Sequence, residues 1–230
     1  MIIGMKISKT NIVKSFKQPL SNIGFRYIED TTTVAKGLFY KRINNEYILT
    51  LGFVISKFGS GFTASYYLSK TFEFGFIPGD FPHEAYQRIS VFLEKNEKNG
   101  LIEEPWVKNG LLDAWWSDLS KHSIDCIIDV IKITEHRFLN QSNLFEMISS
   151  SLRLQNHLNM LKKVQGIVTE SSDIVKINTL SSHPINVKYN IPIEWYQAAE
   201  QVLSNERPLE VTPKFIEFIA IESWRLYNIS

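Results

Sequence analysis

The chain has one cysteine, Cys126, in 230 residues. It therefore forms no internal disulfide, and a reducing compartment is the expectation. No apolar run approaches the roughly 18 to 20 residues a membrane span needs, and Met1–Lys6 is too short for a secretory leader. A cytoplasmic location with no membrane association follows as the expectation. Net charge is only +1, so the chain as a whole has little pull on nucleic acid or anionic lipid.

The motif inventory is equally sparse. There is no Walker loop, no Gly-x-Gly-x-x-Gly and no Gly-x-Ser-x-Gly elbow. Gly59-Ser60-Gly61 joins two strand-like runs rather than a strand and a helix, so it reads as a hairpin turn and not an anion cradle. The five histidines, His83, His122, His136, His157 and His183, show no metal-binding spacing. His122 and Cys126 share a face if helical, but zinc takes three or four ligands, and Asp125 or Asp129 would have to reorient to help. Acids flank Cys126 in an apolar run, the opposite of what activates a thiol. No metal and no cofactor is expected.

What the chain has is core material: 44% hydrophobic residues and 13% aromatic, with fifteen Phe. From about Thr10 to Ile23, Ile12, Phe16, Leu20 and Ile23 recur at helical spacing, with Thr10 or Asn11 as cap and Gly24 as stop. Between Phe25 and Phe76 the period becomes two. Tyr47 to Ile55 and Phe62 to Leu68 alternate as strands with one face on a core, Asn44-Asn45 and Gly59-Ser60-Gly61 supply turns, and Phe72, Phe74 and Phe76 extend the pattern.

Beyond Pro78-Gly79-Asp80 the chain reads mainly helical. The segments run from Glu84 to Lys98, around Leu112–Leu119, from Ser123 to Phe138 (β-branched enough to leave a strand open), from Asn143 to Gln165, from Pro192, and from Thr212-Pro213. The last is apolar on nearly every side and is expected in the core. The fold class is α+β: an N-terminal helix and antiparallel β-meander, then a mainly helical C-terminal part. The polar run Lys95–Gly100 suggests a division into 1–100 and 101–230, packed as one compact unit. The first part carries a net +5 and the second −4.

Three functional readings arise from the residues. Asp80, His83 and Glu84 share one loop, where carboxylates could tune an imidazole for acid–base, hydrolase-type catalysis. The same residues also make a turn and a helix start. Lys6, Lys9, Lys14, Lys17, Lys36, Lys41 and Arg42 among aromatics allow nucleic-acid contact, but helix lysines opposite an apolar stripe are normally a solvated face. Trp116, next to Trp115 and about 100° from it on a helix, and Tyr66, next to Tyr67 on a strand, are candidate protein-binding residues.

Gly24-Phe25-Arg26, Leu38–Arg42, Tyr47-Ile48-Leu49 and Gly61-Phe62-Thr63 together resemble an uncharacterised bacterial domain family. Its members are similar to the small α+β immunity proteins of polymorphic toxin systems. The resemblance covers residues 10–70, departs from the family pattern at Val54-Ile55-Ser56, and carries over no catalytic residue. It implies a non-enzymatic bacterial cytoplasmic protein that binds a toxin-like protein partner.

Overall fold

The computed structural model describes residues 6–29, 37–57, 61–72, 85–109, 114–170 and 191–228. They form two compact units, residues 1–69 with 73–150, and residues 70–72 with 151–230. The polar run expected to mark a boundary at residue 100 instead lies inside the first unit, in a helix.

The first unit opens with helix α1 (Lys9–Asn22), which buries Ile12, Phe16 and Leu20 as the spacing requires. Its cap is Ser8 rather than Thr10 or Asn11, with Ser8 Oγ accepting from the Asn11 amide at 3.3 Å. Gly24, at φ +92°, ends it in the left-handed conformation that glycine adopts without strain.

Among the described residues seven strands follow: β1 (Arg26–Ile28), β2 (Leu38–Arg42), β3 (Ile48–Ile55), β4 (Phe62–Ser69), β5 (Tyr86–Arg88), β6 (Val107–Asn109) and β7 (Ala114–Trp116). They pair antiparallel in the order β1-β2-β3-β4-β7-β6, and β5 also pairs with β4. In the β2–β3 hairpin the side-chain oxygen of Asn44 accepts from the amides of Glu46 and Tyr47, at 2.8 and 2.9 Å. The turn that Asn44-Asn45 supplies is thus an Asx turn. Gly61 lies where β7 crosses close, since a Cβ there would meet the Trp116 carbonyl oxygen at 2.9 Å.

Register sorts the side chains by face. Phe39, Leu51 and Tyr66 are directly paired, so Phe53, Phe62, Ala64 and Leu68 share their side. Phe16 of α1 stacks on Phe53 at 4.5 Å between ring centroids and meets Phe62 edge-on at 6.0 Å. Helix α3 (Lys121–Leu139) covers the same face: Tyr66 donates to the Ile131 carbonyl at 3.1 Å and stacks on Phe138. The opposite face is closed as well. Thr50, Thr63, Ser65, Tyr67 and Ser69 are buried there too.

Further departures from expectation have local causes. Trp115-Trp116 form strand β7 rather than a helix. The apolar pattern over 112–119 is too short to fix the period, and aromatics suit a strand that has a partner in β6. Helix α3 is capped by Ser120, whose Oγ accepts from the Ser123 amide, while Ser123 Oγ donates to Asp118 at 2.7 Å. Helix α2 (Lys95–Ile102) is the polar run itself. Its Glu97 makes a paired ion contact with Arg137 of α3, at 2.9 Å from Nη2, and this holds the Glu97 carboxyl below its usual range.

The single helix expected over 143–165 divides into α4 (Leu144–Ser150), in the first unit, and α5 (Leu152–Glu170), in the second. The break follows a run of serines whose hydroxyls compete for backbone groups. Ser150 Oγ donates to the Met147 carbonyl, and Ser151 Oγ accepts from the Leu154 amide.

The second unit packs α5, α6 (Ile193–Glu206) and α7 (Pro213–Asn228). His157 stacks on Phe218 and Gln165 donates to the Ser223 carbonyl, so α5 and α7 run parallel. The ring contact of Trp195 with Tyr227 joins the start of α6 to the end of α7.

Candidate functional site

Asp80, His83 and Glu84, the acid–base candidates, lie outside the described residues, as does Lys36. The protein-binding candidates are described and do not reach the surface. Tyr66 and Trp116 both have 0% exposure. Tyr66 spends its hydroxyl on the Ile131 carbonyl and stands 3.0 Å from Thr134 Oγ1, and burial pushes its phenol far above the usual range. Trp116 points to the same side of the sheet as Phe62, its register partner. Aromatic identity does not distinguish a hot spot from a core residue, and here the core takes both.

The lysine cluster is also partly committed. Lys41 pairs with Glu135 at 2.6 Å and lies over the Phe25 ring, and Lys17 lies 5.8 Å from the Tyr27 ring centroid. Among the described residues no three His, Cys, Asp or Glu side chains converge as a metal site.

The structure does bring Cys126 beside Trp116 and Trp106, with His122 stacked on Trp106 at 5.6 Å. Burial raises the Cys126 thiol above its ordinary pKa. The two indole N–H groups oppose that rise, although neither completes a hydrogen bond, and Glu104 and Asp129 add to it. The thiol should therefore stay protonated at neutral pH. We expect iodoacetamide to label native Cys126 more slowly than an unfolded-chain thiol at pH 7. The native rate should keep rising above the pH at which an ordinary thiol levels off. Equal rates for the native and urea-unfolded chain would contradict this environment.

Three other groupings stand out. The first is the second face of β4. Thr63, Ser65, Tyr67 and Ser69 place four hydroxyl side chains in a row, each at most 1% exposed. Arg88 is in register with Ser65 and Tyr86 with Tyr67, and the Arg88 guanidinium sits 5.4 Å from the Trp115 ring centroid. Thr63 Oγ1 and Ser65 Oγ are buried and have no hydrogen-bond partner.

The second grouping is charge inside the helical unit. Glu222 and Arg225, 3.5 Å apart, are buried on α7, as is Glu200 on α6. The expectation of an α7 apolar on nearly every side passed over them, although two opposite charges at i, i+3 within an apolar helix were visible. Trp224, expected in the core, is only half-buried.

The third is apolar and open to solvent. Tyr227, at the end of α7, is 50% exposed, with the nearly buried Trp195 of α6 against its ring. No described helix is long and apolar enough to cross a membrane. Comparison with protein-family models, with curated proteins and with solved structures gives no match to this chain.

Proposed function

We propose that this chain is a non-enzymatic bacterial cytoplasmic protein that acts by binding another protein, of the kind that neutralises a toxin encoded beside it. The observation that carries this reading is the Tyr227 surface, backed by Trp195. A half-exposed tyrosine braced by a buried tryptophan is a preformed amphipathic anchor, and such aromatics dominate binding energy at protein interfaces. Nucleic acid is the weaker alternative, because Lys41 of the basic cluster is neutralised by Glu135.

The test is calorimetric titration of the full chain with the protein encoded by the adjacent gene. A complex is expected in wild type, and Tyr227→Ala should weaken it by about 2 kcal/mol, roughly thirtyfold. Tyr227→Phe should retain most of the affinity. No complex at micromolar concentration, or a Tyr227→Ala affinity equal to wild type, would remove the reading.

A further inference from the structure

We infer that Cys126 is a site of oxidation by peroxide, and that the indole N–H groups of Trp106 and Trp116 hold the resulting sulfenic acid. Helix α3 lies on the face of the sheet that carries Trp116. Residues 122 and 126 stand one turn apart on that helix, so His122 stacks on Trp106 while the Cys126 thiol comes beside both indoles. Trp106 is fixed against β7, where its carbonyl accepts from the Ser117 amide at 2.8 Å and from Ser117 Oγ at 3.0 Å. Both Nε1 atoms are shut off from water, and among the described residues neither completes a hydrogen bond. Trp116 as a whole has 0% exposure.

An indole nitrogen only donates, and a buried one normally has an acceptor. A thiol sulfur accepts weakly. Two orphaned donors directed at one sulfur therefore call for a stronger acceptor on that atom, and a sulfenic oxygen is one. It needs no separate cavity, because it is added to a sulfur already within reach of both donors, and the half-buried thiol is open to a small peroxide. The sulfur attacks one peroxide oxygen, the S–O bond forms as the O–O bond breaks, and the sulfur gives up two electrons. The departing hydroxide takes the thiol proton and leaves as water. Attack is slow and rises with pH, as alkylation does, since only the thiolate is a good nucleophile. The fold acts on the product instead. Cys126 is the only cysteine, so no internal thiol converts the sulfenic acid to a disulfide. With its oxygen bound by two N–H groups, the sulfur is also a poorer nucleophile toward a second peroxide, which would carry it on to the sulfinic acid.

This chemistry is independent of the surface at Tyr227, and its test uses the full chain without a protein partner. The chain is treated with hydrogen peroxide at mildly alkaline pH, the peroxide is removed with catalase, and dimedone traps sulfenic acid. The adduct is located on the Cys126 peptide, which separates it from oxidation of the four methionines. Sulfenic acid at Cys126 is expected to last about tenfold longer in the native chain than in the urea-unfolded one, the equivalent of one hydrogen bond to a strong acceptor. Trp106→Phe keeps the ring and removes one N–H, and is expected to shorten that lifetime about tenfold with a matching rise in sulfinic acid. Should Trp106→Phe fail to fold, the wild-type indole N–H signals in a nitrogen-15 spectrum decide: two of the five shift on oxidation and return with dithiothreitol. The inference is overturned if native Cys126 yields no dimedone adduct, or if its sulfenic acid decays as fast as in the unfolded chain. It is equally overturned if folded Trp106→Phe keeps the wild-type lifetime, or if no indole signal moves on oxidation.

Discussion

Replacing Phe16 by Ala is expected to destabilise the first unit by about 3–5 kcal/mol. Phe16 has 0% exposure, lies flat on Phe53 at 4.5 Å and meets Phe62 edge-on, and Phe53 in turn meets Phe39 edge-on. Truncation removes the ring that ties α1 to β3 and β4. The cavity cannot collapse easily, because Ile12 and Leu20 hold the helix one turn to either side. Lys17→Ala, at the next position but exposed, should change stability by less than about 0.5 kcal/mol. The measurement is the urea dependence of amide exchange in α1 and β3, which reports on this unit separately from the other. A Phe16→Ala chain with wild-type protection would mean that α1 contributes little to the core.

That helix was legible because its pattern is long and one-sided. So was the β2–β3–β4 meander, where hairpin chemistry and alternation agree. The failures share a cause: the deciding partner lies far away in sequence. Lys95–Gly100 reads as a linker until Arg137, from α3, is seen holding Glu97 and the Phe92 carbonyl. Trp115-Trp116 read as helix until β6 supplies their hydrogen bonds.

The candidate surfaces were harder to read for the same reason. Alternation in β4 correctly put Phe62, Ala64, Tyr66 and Leu68 on a core. It left the face between them open to either solvent or a covering layer. One signal argued for the cover: a solvated strand face normally carries Lys or Glu, whereas Thr63, Ser65, Tyr67 and Ser69 carry hydroxyls alone. Trp116 and Tyr227 are both large aromatics in mixed surroundings. Only tertiary packing makes the first a core residue and leaves the second half in water.

The charged pair in α7 gives the second large expected effect. Arg225→Met should cost about 3–5 kcal/mol, because it removes a countercharge from a carboxylate that stays buried. Glu222 is 1% exposed and the Arg225 side chain 8%, with 3.5 Å between the charged groups. The Trp195–Tyr227 contact fixes the level of antiparallel α6 and α7, and five residues inward on each brings Glu200 to the level of Glu222. Glu200, itself buried, thus lies at the level of the pair on the neighbouring helix. The double variant Glu222→Leu, Arg225→Met removes both charges at similar volume. It should recover most of the loss, since a buried ion pair seldom outperforms well-packed apolar side chains. Chemical denaturation followed in the second unit distinguishes the cases. A single variant within about 1 kcal/mol of wild type would show that the pair is already hydrated. A double variant as unstable as the single would show that Glu222 and Arg225 serve contacts beyond each other, and that charge balance is not what makes Arg225 matter.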